Sequence, residues 1–205
     1  MRLFVAVRPP EPVLLHLDLA LRTVAGGGDT GDRSSPVRWT EVENRHLTVA
    51  FFGDVADALV GDLNDVIDAA VTGVEPFELH LRGAGVFAHR TLWVGVGGDV
   101  DAMRRLSDAV GRAGADLVAQ SDDRVRSRPH LTVGRVGPSI RRLRSRWTGQ
   151  AQPEDPADAL VRALAVYEGP TWLVEDVRLL ASQPGAGRGG GPLYTTIRTH
   201  HLAAA

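Results

Sequence analysis

Two stretches of this 205-residue chain carry the same short word. Arg45-His46-Leu47-Thr48-Val49-Ala50-Phe51-Phe52-Gly53 recurs in outline as Pro129-His130-Leu131-Thr132-Val133-Gly134-Arg135-Val136-Gly137. Both copies hold His-Leu-Thr-Val and a glycine seven residues after the histidine. Imidazole titrates near neutral pH, so two of them can hold one neutral base and one protonated acid at the same time. A threonine hydroxyl two residues on can donate to a phosphoryl oxygen. Such a set suits in-line attack of water on a phosphodiester, with one histidine taking the water proton and the other protonating the leaving alkoxide.

Strand geometry gives a reason for the spacing. Side chains alternate faces, so His46 and Thr48 point one way while Leu47 and Val49 point into a core, and His130 and Thr132 divide from Leu131 and Val133 in the same manner. Two such strands facing across a groove would present both imidazoles and both hydroxyls to one ligand. The other histidines lack this pattern. His16, His80, His200 and His201 read as structural or surface residues, and His89, beside Arg90, stays open.

The elements that must position the repeat follow from periodicity. Arg2–Val7 reads as a strand, and Pro9-Pro10-Glu11-Pro12 opens a helix with leucines at 14, 15, 17, 19 and 21, stopped by Gly26-Gly27-Gly28. Val37–Trp39 and His46–Phe52 are strands, and Ala56–Val71 is a helix. Phe77–Leu81 and Leu92–Val96 are expected to be strands joined by a glycine-containing loop, followed by a helix over Asp101–Ala119 and a strand over Leu131–Val136. Ala157–Val166 reads as helix, and Leu173–Ala181 and Leu193–Thr199 as a closing strand pair around a glycine-rich loop at 185–191. Strands that adjoin without intervening helices predict α+β architecture with antiparallel pairing. No linker divides the chain, so residues 1–205 are expected to form one domain of two similar lobes.

Composition excludes several classes. With 43% hydrophobic and 23% charged residues the chain reads as globular, not disordered. The absence of cysteine removes disulfides, thiolate metal sites and cysteine nucleophiles together. A net charge of −2 argues against a polyanion binder as a whole, yet all 23 basic residues are arginine. Positions 124 to 146 hold eight of them and no carboxylate, which reads either as a phosphate footprint or as a solvated basic face. The apolar run Val13–Ala25 is broken by His16, Asp18 and Arg22 and is too short to span a bilayer. The N-terminal run is too short for a signal peptide, so a cytoplasmic protein is expected.

At these residues the chain resembles the two-histidine phosphoesterases, and among them the RNA 2′,3′-cyclic phosphodiesterases, also labelled 2′-5′ RNA ligases. The resemblance runs through Arg2-Leu3-Phe4-Val5-Ala6-Val7, Val37-Arg38-Trp39, both His-Leu-Thr-Val motifs, Leu92-Trp93-Val94-Gly95-Val96, Leu179-Leu180-Ala181-Ser182 and Gly191-Pro192-Leu193-Tyr194. It implies a bilobal α+β fold with pseudo-twofold symmetry, in which antiparallel sheets line a central cleft and helices lie outside. It also implies hydrolysis of a nucleoside or RNA-terminal 2′,3′-cyclic phosphate to a 2′-phosphate. In that scheme His46 protonates the departing O3′, His130 activates water, and Thr48 and Thr132 hold the non-bridging oxygens. Phe51 matches a base-stacking position and Arg135 a ligand-contacting one. Strict alternation would turn both away from the histidines unless the strands bulge, which leaves Phe51 as plain core the competing reading. A buried unpaired arginine would be costly, so Arg135 is expected to meet an anion or water. The arginines from 141 to 146 and the helix-like stretch 157–166 depart from many relatives.

Expected partners are RNA 3′ ends or nucleoside 2′,3′-cyclic phosphates, with no cofactor, no metal and no membrane, and a monomer is expected. Competing functions are 2′-5′ joining of a cyclic-phosphate end to a 5′-hydroxyl and a non-catalytic RNA-binding module. A metal site on His46 and His130 is the weakest reading, because neither motif brings a second histidine or a carboxylate at ligand spacing.

Overall fold

The computed structural model describes residues 1–25, 37–118, 128–137 and 156–203. The glycine stop at 26–28 and the arginine-rich stretch, apart from Arg128 and Arg135, lie outside the described residues. Along the chain come β1 (Arg2–Val7), α1 (Glu11–Val24), β2 (Val37–Trp39), β3 (Leu47–Asp54), α2 (Val60–Val71), β4 (Phe77–Phe87) and β5 (Thr91–Gly98). Then follow α3 (Val100–Ala115), β6 (His130–Val136), α4 (Pro156–Ala163), β7 (Glu168–Val174), β8 (Asp176–Gln183) and β9 (Leu193–His201).

All the strands join one sheet in the order β7-β4-β5-β6-β3-β1-β8-β9, with β2 pairing on β6. Among the described residues these strands all pair antiparallel. Reading outward from the middle, β6-β5-β4-β7 mirrors β3-β1-β8-β9, and the two central strands are those carrying the repeat. The fold is α+β and pseudo-twofold. A single residue pair, Leu47 with Leu131, joins the halves at β3–β6.

The helices bury their apolar stripes on this sheet. Val13, Leu14, Leu17 and Leu21 of α1 recur at helical spacing and are buried, as are Leu63, Ile67 and Val71 of α2. Helix α3 starts at Asp99, whose carboxylate accepts the Ala102 N–H at 2.8 Å, a cap that satisfies one of the free amides of the first turn. The halves also trade helices. Helix α1 follows β1 but packs on β7, and α3 follows β5 but packs on β3 and α2. At that crossing Gly114 of α3 lies flat on the Phe52 ring, where a β-carbon would overlap it.

Two expectations from the sequence change. The stretch expected to be a loop between residues 81 and 92 is mostly strand: β4 and β5 form a long hairpin turned at Ala88 and His89, both with positive φ (48° and 49°). The glycines that suggested a loop serve packing instead. The Trp93 ring lies across Gly85, and a β-carbon there would overlap it. The run Leu173–Ala181 is two strands, not one: it breaks at Glu175 into β7 and β8, which sit far apart in the sheet. Burial parity records the break, since Trp172 and Val174 are buried before it and Val177, Leu179 and Ala181 after it.

One buried ion pair braces the first motif. Arg45, 2% exposed, reaches Asp18 of α1 at 2.9 Å and donates through Nε to the Thr40 carbonyl at 3.1 Å. Burial lowers its pKa, opposed by the bond to Asp18. Removing one partner of such a pair costs about 3–5 kcal/mol, because the other charge is left buried. The residue it fixes is the immediate neighbour of His46.

Candidate active site

His46 is the last residue before β3, and His130 opens β6. The Leu47–Leu131 pair sets equivalent residues of the two copies opposite each other, as twofold-related antiparallel strands require. Carrying that register one residue either way places His46 beside Thr132 and Thr48 beside His130. Leu47 and Leu131 are fully buried, so the four polar side chains share the opposite face. The repeat thus brings both imidazoles and both hydroxyls together.

Each imidazole is held in the same way. His46 Nδ1 donates to the Asn44 carbonyl at 2.8 Å, and His130 Nδ1 donates to the Arg128 carbonyl at 2.9 Å. A carbonyl only accepts, so Nδ1 carries the hydrogen in both rings and Nε2 is left for a ligand. Each ring also has aromatic neighbours. Phe4 and Tyr194 lie 5.0 and 5.3 Å from His46, and Phe87 and Trp93 lie 4.9 and 6.1 Å from His130. Burial pushes His46 down to about 4, helped by the nearby His130 and Arg8 and opposed by the bond to Asn44. At neutral pH the free protein therefore holds His46 as neutral imidazole.

Phe51 and Arg135 reach the same face through bulges. Along β1–β3 the register slips between Val5 and Ala6, where Val49 has no partner, and again between Leu3 and Phe4. Along β5–β6 it slips between Leu92 and Trp93, leaving Val133 unpaired. Val49 and Val133 are equivalent positions, so the bulge belongs to the repeat. Each inserts one residue and reverses the alternation beyond it. The core reading of Phe51 gives way: its ring is half-buried in the cleft wall, with the Arg2 guanidinium 5.1 Å from its centroid.

A cavity of about 860 Å³ opens on this face, and its wall includes His46, Thr48, Phe51, Thr132 and Arg135. His130 is not part of that wall. It stands half-exposed against Phe87, which is 40% exposed and stacked on Trp93 at 5.1 Å. Arg2, Arg38, Arg188 and Tyr194 also line the cavity, and none of them was singled out for the site by sequence reasoning. The Tyr194 ring stands perpendicular to that of His46, and burial raises its hydroxyl pKa against the pull of Arg135 and Arg2. Asn44 ties the His46 segment to the glycine-rich loop by donating to the Pro192 carbonyl at 3.1 Å. The remaining histidines lie elsewhere: His16 contacts Tyr167, His80 faces Glu168 at 3.4 Å, and His200 is clamped to Asp68 at 2.5 Å. His89 forms the hairpin tip.

The family model for the 2′-5′ RNA ligase superfamily matches residues 37–180, which contain both motifs. The chain belongs to that superfamily. An RNA 2′,3′-cyclic phosphodiesterase from Methanothermobacter thermautotrophicus is 32% identical over 207 residues, spanning 98% of each chain. One from Aquifex aeolicus is 23% identical over 173 residues, covering 80% of this chain and 81% of the relative. Among solved structures, TT0787 of Thermus thermophilus superposes with a TM-score of 0.69 at 21% identity, covering 98% of both chains. E. coli LigT complexed with 3′-AMP gives 0.68 at 20% identity, covering 98% of this chain and 97% of that one. The likeness to the solved structures extends to the fold of nearly the whole chain. Among the described residues no helix is long and apolar enough to cross a membrane.

Proposed function

We propose that this protein hydrolyses 2′,3′-cyclic phosphates at RNA ends or on nucleosides to 2′-phosphates, with His46 and His130 as a paired acid and base. The observation that carries the reading is the Leu47–Leu131 pairing, which gathers two Nδ1-anchored imidazoles and two threonine hydroxyls on one face. A water oxygen attacks phosphorus and gives its proton to His130 Nε2. The P–O3′ bond breaks, and O3′ takes a proton from His46 Nε2. Thr48 and Thr132 donate to the non-bridging oxygens, where negative charge gathers. No step requires a metal. The names of the relatives support the substrate class, since full-length and partial relatives alike are RNA 2′,3′-cyclic phosphodiesterases. Incubation with a nucleoside 2′,3′-cyclic phosphate should yield the 2′-phosphate, identified by phosphorus NMR; the 3′-phosphate, or no product, would refute the reading.

The depressed pKa of His46 has a kinetic signature. Protonation is disfavoured in the empty cleft, but an anionic phosphodiester beside Nε2 stabilises the imidazolium and raises the pKa. With His46 as the acid, the limb that its titration sets in kcat/KM, which reports the free enzyme, is expected near pH 4, and the corresponding limb of kcat at higher pH. Coincident limbs in the two profiles would show that substrate does not bind against His46.

A 5′-hydroxyl in place of water would give a 2′-5′ linkage by the same steps. The exposed Phe87 ring, stacked on Trp93 beside His130, gives that second reading an apolar surface on the nucleophile side.

A further inference from the structure

The cleft carries more positive charge than one cyclic phosphodiester needs. Arg2, Arg38, Arg135 and Arg188 all line it, and Glu41 is the one carboxylate in the same wall among the described residues. The placement of two of them is costly. Arg38 of β2 lies directly opposite Arg135 of β6 in the antiparallel register, and like charges in that position repel. Neither guanidinium has a carboxylate partner among the described residues. Arg38 donates instead to the Gly189 carbonyl, which brings the glycine-rich loop and its Arg188 over the same end of the cleft. Nothing in the hydrolytic step explains this cluster. An anion would relieve it.

Its distance from the reacting centre identifies the anion. Arg135 lies three residues along β6 from Thr132 with the Val133 bulge between them, so the two are separated by two residues of β5, about 7 Å of strand. That separation suits the next phosphate of a nucleotide whose cyclic phosphate sits at the histidines. A guanidinium fork matches phosphate oxygens, and the bond is charge-assisted. We propose that Arg38 and Arg188 form a second phosphate subsite, which takes the phosphate on the 5′ side of the nucleoside whose 2′,3′-cyclic phosphate reacts. The proposal rests on the phosphodiesterase reading above and adds a substrate preference to it: the cleft selects cyclic ends that carry a 5′ phosphate over bare nucleoside cyclic phosphates.

A 5′-monophosphate and an internucleotide diester could both supply that group, so the test uses three substrates. These are uridine 2′,3′-cyclic phosphate, its 5′-phosphorylated form, and the dinucleotide UpU ending in a 2′,3′-cyclic phosphate. At low salt at least one phosphorylated substrate is expected to exceed the bare nucleoside in kcat/KM by about tenfold or more, mainly through KM. The higher of the two identifies the source. The advantage should fall to about twofold in Arg188→Ala and in Arg38→Gln, the second of which keeps a donor for the Gly189 carbonyl while removing the charge. Arg104→Ala, on the exposed face of α3, should keep the full advantage. Equal kcat/KM on all three substrates overturns the subsite while leaving the phosphodiesterase reading intact. An advantage that survives both substitutions, or that Arg104→Ala also abolishes, overturns it as well. Failure to turn over any of the three substrates sinks the phosphodiesterase reading and the subsite with it.

Discussion

Alanine in place of His46 or His130 is expected to lower kcat/KM on a nucleoside 2′,3′-cyclic phosphate by about 10²–10⁴-fold in each case. The two losses have different origins. Without His130 the attacking water keeps its proton until the P–O bond has largely formed. Without His46 the ribose O3′ must leave as a bare alkoxide. Both changes strike the transition state, so kcat should carry the loss and KM should move little. Neither side chain is a pillar of the core, since each is only partly buried and its one hydrogen bond is to a local carbonyl. Thermal unfolding should therefore stay close to wild type, which separates lost chemistry from lost structure. Full turnover in either variant would contradict the paired mechanism.

Thr48→Val and Thr132→Val are expected to cost about 10²–10³-fold each in kcat, the range for removing one preorganised donor to a developing oxyanion. Valine keeps the branched shape that β3 and β6 favour and deletes only the hydroxyl. Thr48→Ser and Thr132→Ser should recover most of the rate because they restore the donor. The register sets the arrangement behind these expectations. Carried one residue either way from Leu47–Leu131, it puts Thr132 beside His46 and Thr48 beside His130, so each hydroxyl neighbours the imidazole of the other copy. Loss of rate in valine variants with no recovery in serine variants would point to packing and away from donation.

The repeat was legible because strand alternation imposes the same pattern that a paired acid–base site would need. His and Thr two apart must share a face, and the Leu and Val that alternate with them must be buried, so His46, Thr48, His130 and Thr132 could be read from a single line of sequence. The α+β character followed from adjacent strand runs. Phe51 and Arg135 were ambiguous for a definite reason: a β-bulge depends on how the partner strand slips, and Val49 and Val133 look like ordinary strand residues. The β4–β5 hairpin was hidden by Gly83 and Gly85, which mark a loop in sequence but here sit under the Trp93 ring or at a bulge. The arginine cluster was hidden by distance along the chain. Arg2, Arg38 and Arg188 come from β1, β2 and the glycine-rich loop, and only the sheet order brings them to one cleft.

Whether the two imidazoles act on one phosphorus as a unit is tested most directly by a double-mutant cycle on kcat/KM, using wild type, His46→Ala, His130→Ala and the double variant. Groups that act as a unit are grossly non-additive. The double variant is therefore expected to be about as slow as the slower single variant. A loss equal to the product of the two single losses would mean that the histidines contribute independently, and the paired acid–base account would be wrong.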